Sequence, residues 1–233
     1  MGNLHITIIL SCFITVMLLK VFLNINFKKI KKLEIKDSKE LEKLTNKFPS
    51  DEKICKDILK KMNNEGVKVK IESDYNSCLY TIFNNTITIG KFQQNYMKIQ
   101  TIAHECVHSC QNKRILWSNF IFTNIYLIYF VVVSVLTLLN KMPYTEIQTI
   151  IMLLLGIIQY IVRFTLESEA MLKAKYIAKE YIEENHILNK NEEEELLKEY
   201  DRVNGIGIPF MNFYLISMNI AKVFIYSFLA LAW

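Results

Sequence analysis

The residues of this chain whose types and spacing suit chemistry are His104-Glu105-Cys106-Val107-His108. Residues four apart on a helix differ by about 40° in azimuth, so both imidazoles leave one face, one turn apart, as a zinc ion needs. Glu105 lies about 100° round the same helix, near enough to reach a water at the metal without displacing it. This His-Glu-x-x-His arrangement provides two neutral imidazole ligands and a general base, the parts required for metal-assisted hydrolysis. Accidental spacing and a helix that merely carries surface histidines are the competing readings. The chain has only four histidines, which makes an accidental pair at this spacing a poor explanation. Cys106 and Cys110 flank His108 but project from the opposite side, at about 200° and 240° from His104, as small packing residues rather than ligands. His5 and His186 lack comparable partners.

A motif of this kind needs a helix to present it and a third ligand to complete a catalytic zinc site, which keeps its fourth position for water. The elements that must supply both are set by a membrane. Of the 233 residues 52% are hydrophobic, and the mean hydropathy is +0.18. Four apolar stretches, at about residues 4–27, 115–139, 144–166 and 206–233, reach the roughly 20 residues needed to cross a bilayer. The first has no basic region before it, no small-x-small cleavage site, and Lys20 within it, so it reads as a retained anchor rather than a signal peptide.

Basic residues resist translocation, so their distribution orients the chain. Eighteen Lys and Arg lie between the first and second stretches and six between residues 166 and 206, while the turn at 140–143 holds only Lys141. Both long polar segments are therefore expected on the cytoplasmic face of a multi-pass protein of the cell membrane. The same asymmetry accounts for the net charge of +5, and no nucleic-acid partner need be invoked. Five cysteines without a pairing pattern point to a reducing compartment rather than a disulfide framework. Lys222 sits about 16 Å from the end of the last stretch, too deep for easy snorkelling, so it faces the bundle interior or that span begins later.

The order along the chain is an anchor (1–27), a cytoplasmic α+β segment (28–114), an apolar hairpin (115–166), a polar helical segment (167–205) and a last span (206–233). Within the second segment, residues 37–48 and 50–64 read as helices. The latter has an apolar stripe of Ile54, Ile58, Leu59 and Met62, and Gly66 just past its end. Residues 67–71 alternate as a strand. Residues 79–83 and 86–89 read as a hairpin with a type I′ turn at Asn84-Asn85, since Asn tolerates the positive φ required. The strand at 86–89 is a plausible edge for an extended peptide substrate. A helix over 93–113 carries the motif. Residues 28–47 read as a solvated linker or helix, and the acidic run 189–198 as a solvated helical face. Because the apolar hairpin returns the chain beside the motif helix, Glu167 and Glu169 are the candidates for the third ligand. Spacing alone does not choose between them, and either has an alternative role as a helix N-terminal carboxylate.

His104 to His108, an apolar hairpin, and then Glu167-Ser168-Glu169-Ala170 resemble the glu-zincin pattern of His-Glu-x-x-His followed by Glu-x-x-Ala. The chain resembles the YugP-like membrane neutral zinc metallopeptidases and, more distantly, the Ste24/HtpX-type membrane peptidases. The resemblance implies a mainly α membrane protein with about four transmembrane helices and a small α+β, minigluzincin-like catalytic subdomain. It also implies zinc as cofactor, with His104, His108 and Glu167 as its ligands and Glu105 as catalytic base. Two positions depart from the pattern. Val107 stands where the family often has Gly. Met171 stands where Ste24-type proteins have Asp, so a carboxylate that orients a histidine must come from elsewhere or be missing.

The activity so implied is endopeptidase hydrolysis of a protein or peptide substrate. Tyr176 and Arg163 are candidate oxyanion donors. Two alternatives differ in class. One is a catalytically decayed membrane interaction or immunity protein that retains the fold. The other is an intramembrane site-2-type protease, against which stand the polar residues around the motif and the absence of Asp from every span.

Overall fold

Backbone in hydrocarbon must satisfy its own hydrogen bonds, and a helix is the simplest way to do so. In the computed structural model, which describes residues 2–35, 39–72, 77–90 and 95–232, helices dominate. In chain order they are α1 (Gly2–Phe22), α2 (Phe27–Ile35), α3 (Lys39–Thr45) and α4 (Asp51–Lys61), then α5 (Lys98–Cys110), α6 (Lys113–Leu138), α7 (Thr145–Asn185) and α8 (Lys190–Ala232). Three short strands, β1 (Lys68–Ile71), β2 (Cys78–Thr81) and β3 (Thr86–Ile89), lie between α4 and α5. Four helices, α1, α6, α7 and α8, are long and apolar enough to cross a membrane.

The chain forms two compact units. One, the apolar unit, comprises Met1–Asn26, Trp117–Thr165 and Pro209–Trp233; the other, the polar unit, comprises Phe27–Leu116 and Leu166–Ile208. The apolar unit exposes Phe13, Leu18, Val21, Ile128, Leu154 and Phe228, as helices facing lipid do. Its inner cluster is built on Tyr126, Val133, Met152 and Tyr226. Lys222 faces this interior. Its Nζ lies 4.4 Å from the centroid of the Tyr126 ring and donates to Asn219 Oδ1 at 3.3 Å, and Asn219 Nδ2 in turn donates to Gln159 Oε1 at 2.5 Å. A ring face and an amide thus take the place of water around an amine in the interior of the apolar unit.

The polar unit is built around α5, nine of whose thirteen residues are buried. Ile99, Ile102 and Cys106 pack in one core with Ile54, Ile58 and Leu59 of α4 and Ile87 and Ile89 of β3. From α7 this core takes Ala174 and Ala178, and from α8 Leu196 and Tyr200. Three polar contacts fix α5 further. Lys98 pairs with Asp51 at 3.1 Å, the carboxamides of Gln100 and Asn204 bond reciprocally at 2.6 and 3.0 Å, and Tyr200 donates to the Tyr96 carbonyl at 2.7 Å.

Several expectations are corrected. The sheet order is β1-β3-β2, with β3 antiparallel to β2 and parallel to β1, pairing Val69 with Ile87. Residues 86–89 are therefore the central strand and offer no edge to a peptide; the edges are β1 and β2. The link between β2 and β3 is not a type I′ turn. That turn needs positive φ at both central residues, whereas only Asn85 has it, at 49°. The helix read at 50–64 runs Asp51–Lys61, capped by Ser50 Oγ accepting from Lys53 N, and it is closed by Asn63 at φ 53° rather than by Gly66. The bond from Asn64 N to Leu59 O seals that end, and Asn24 and Asn140 close α1 and α6 in the same way.

The motif helix begins at Lys98, after a short 3₁₀ turn at Asn95–Met97, and ends at Cys110, because Gln111 turns extended at ψ 161°. Gln93 and Gln94, assigned to its start, lie outside the described residues, as do Asp37 and Ser38 at the start of the helix read at 37–48, which runs Lys39–Thr45. Residues 28–35, read as part of a solvated linker or helix, are helical, in α2, which begins at Phe27 and leaves Lys28, Lys29 and Lys31 exposed. The apolar hairpin and the polar segment after it are not separate elements. No Gly or Pro lies in residues 157–185, so the polar part of α7 continues its apolar part without a break, 41 residues in all, and α8 runs 43 residues with Pro209 inside it.

Candidate metal centre

His104, Glu105 and His108 leave α5 where its backbone is held on several sides by the core of the polar unit. The two imidazole Nε2 atoms converge to 3.0 Å. The third group comes from α7: Glu167 Oε2 lies 3.5 Å from His104 Nε2 and 3.7 Å from His108 Nε2. All three ligand atoms lie within 4.8 Å of one another, and among the described residues this is the group able to hold a metal ion. Ligand atoms about 2.1 Å from a tetrahedral zinc stand roughly 3.4 Å apart, so the spacing and the His₂Glu donor set both fit zinc. The three side chains keep 13–21% of their surface accessible, which leaves the centre open to water on one side.

Glu105 is more enclosed than the ligands. Its Oε2 accepts the backbone N–H of Tyr80, on the edge strand β2, at 2.6 Å. Burial is the largest influence on this carboxyl and raises its pKa. His104, His108 and the Tyr80 N–H pull the other way without cancelling that effect. A carboxyl shifted upward is better matched to taking and returning a proton near neutrality. Glu167 behaves oppositely. Burial pushes it up, but the two imidazoles outweigh burial and hold it well below the usual carboxylate range. For His108, burial disfavours the charged ring, yet Glu167, Glu105 and Gln111 together move its pKa upward.

The structure separates the two candidates for third ligand. Glu167 stands with the histidines. Glu169 points elsewhere, its Oε1 accepting from Lys173 Nζ at 2.6 Å and its Oε2 from Gln111 Nε2 at 3.0 Å. The bond to Lys173 is the main reason its pKa is lowered. Cys106 is fully buried against Cys55, with the sulfurs 3.7 Å apart and both thiols free, whereas Cys110 is exposed beside Asn64. Tyr176 is exposed and lies nine residues past Glu167, about 13 Å along α7, so it does not serve as an oxyanion donor. Arg163 belongs to the apolar unit.

Two participants had no clear signal in the sequence. Tyr80 acts through its backbone, which no side-chain pattern announces. Gln111 lies three residues after His108, a spacing at which helical side chains meet. Its Oε1 lies 2.8 Å from His108 Nδ1, and its Nε2 donates to the Leu166 carbonyl at 2.8 Å as well as to Glu169. Compared with known proteins, the chain matches no family model, no curated protein and no solved structure.

Proposed function

We propose that this chain is a membrane-embedded zinc-dependent endopeptidase in which His104, His108 and Glu167 hold the metal and Glu105 is the general base. The observation that carries this reading is the convergence of three ligand atoms at tetrahedral spacing, beside a buried carboxylate on the same helix. Zinc, when bound, supplies the Lewis acidity that polarises a water and the scissile carbonyl. With Oε2 engaged by Tyr80 N–H, Glu105 takes the proton of the attacking water at Oε1 and returns it to the leaving amine nitrogen. The substrate is a protein or peptide in extended form. Strand β2, rather than β3, is the edge for it to pair with, because Tyr80 links that strand directly to Glu105.

One measurement decides the reading. Protein purified in detergent should contain about one zinc per chain by elemental analysis and should cleave an unfolded protein until a chelator is added. A chain without zinc overturns the proposal. Zinc without cleavage favours the decayed membrane protein instead. All four site residues belong to the polar unit, which favours a soluble-type site over an intramembrane one.

The four apolar helices and the distribution of Lys and Arg support a multi-pass protein of the cell membrane with the site facing the cytoplasm. Cysteine placed at Lys141, with Cys110 changed to Ser, should then react with an impermeant maleimide added to intact cells. Reaction only after permeabilisation inverts the orientation.

A further inference from the structure

A metal-bound imidazole needs its second nitrogen held, because that bond selects the tautomer and aims the ring. By resemblance to the Ste24-type peptidases the holder would be a carboxylate at position 171, which here is Met. The structure offers a different holder. Gln111 is buried, and one end of its carboxamide faces two acceptor oxygens, the Leu166 carbonyl at 2.8 Å and Glu169 Oε2 at 3.0 Å. Only the amide nitrogen, with its two hydrogens, satisfies both, so that end is the nitrogen. The oxygen is therefore the end that meets His108 Nδ1 at 2.8 Å. A carboxamide oxygen only accepts, so His108 Nδ1 carries a hydrogen and donates it, and the lone pair of Nε2 is left for the metal side. Every hydrogen of the Gln111 amide is spent, which leaves the group a single orientation.

The geometry points to Gln111 as the positioning residue of the centre, fixing the tautomer and aim of His108 while tying that ligand to the carbonyl of Leu166, the residue just before the ligand Glu167. Glu169 acts through it, as the anion that anchors the amide and is itself held by Lys173. The two neighbouring carboxylates of α7 thus divide the work: Glu167 meets the metal and Glu169 braces the histidine. Gln111 reaches two ligands through one group, because it bonds to the ring of the first and to the backbone beside the second. This inference rests on the metal-site reading above.

The probe is zinc itself, titrated into the full chain in detergent against a chelator of known affinity. Gln111→Ala should weaken zinc binding by about 10–100-fold, the usual effect of losing such a partner. Gln111→Glu keeps an acceptor for Nδ1 but turns its second oxygen on the Leu166 carbonyl and Glu169, so it should recover part of that loss only together with Glu169→Gln, whose amide donates to that oxygen. Glu169→Ala should cost several-fold beside Gln111 but nothing further in the Gln111→Ala chain, because its effect passes through the amide. The visible spectrum of bound cobalt should shift in Gln111→Ala, a change in ligand geometry that general destabilisation does not produce. Circular dichroism of each chelated variant reports whether it folds, and where Gln111→Ala fails to fold, Gln111→Met, which keeps the bulk of the side chain without its hydrogen bonds, takes its place in both the affinity measurement and the Glu169→Ala comparison. Zinc affinity unchanged by Gln111→Ala overturns the inference, as does a Glu169→Ala loss equal in both backgrounds. A wild-type chain that binds no zinc overturns the metal-site reading instead, so the two failures are distinct.

Discussion

Replacing Glu105 by Gln should abolish peptide cleavage while leaving zinc bound. Gln retains an oxygen to accept the Tyr80 N–H, so β2 and α5 keep their contact at 2.6 Å. Position 105 also lies outside the group of three ligand atoms, so metal content should stay near one per chain. What a carboxamide cannot do is take a proton from water. A general base contributes about 10²–10⁴-fold to a hydrolytic rate, and kcat/KM should fall by at least that much. Measuring zinc and rate on the same preparation separates this outcome from trivial loss of the site. A Glu105→Gln chain that still cleaves at the wild-type rate removes Glu105 from the mechanism.

Glu167→Ala should behave differently and lose both zinc and activity. Its carboxylate is the only anionic member of the group and the only ligand from α7. Its loss leaves two neutral imidazoles, which alone make a weak site for a divalent ion. Zinc affinity should therefore fall by more than the roughly 10–100-fold that removal of an outer partner costs. Glu169→Ala provides the contrast, because that residue meets Gln111 and Lys173 rather than the histidines. If the two variants exchange behaviour, Glu169 is the ligand and the assignment made from geometry is wrong.

How far these features were legible in the sequence depends on the range of the interaction that sets them. The four apolar helices were legible because a bilayer demands length and composition of each span independently. The facing pair His104 and His108 follows from helical periodicity alone, as does the buried stripe of α4, where Ile54, Ile58 and Leu59 are in the core. Long-range pairing was not legible. That β3 lies between β1 and β2 depends on a parallel pairing across an intervening strand, for which adjacent residues carry no mark. The hairpin expected at Asn84-Asn85 was a local reading of the same residues. The cap at Asn63 was missed because Gly is the more common left-handed residue, although Asn also tolerates that conformation. The continuity of α7 was missed for another reason. A change from apolar to polar composition marks where hydrocarbon is expected to end, not where a helix does, and nothing between Leu166 and Asn185 breaks one. Glu167 and Glu169 could be told apart only by resemblance until α7 was placed beside α5. The same holds for Gln111, whose partners are 55 and 58 residues away.

The separation of the ligands along the chain has a consequence for biosynthesis. His104 and His108 are translated first, and Glu167 follows only after α6 and the apolar part of α7 have been made. A nascent chain that ends between them carries the base and two imidazoles but no third ligand. On the proposed reading, firm capture of a metal would await synthesis of both apolar segments, and the chain would gain peptidase activity only past that point. Metal retention would then serve as a chemical record that the chain has been completed past Glu167.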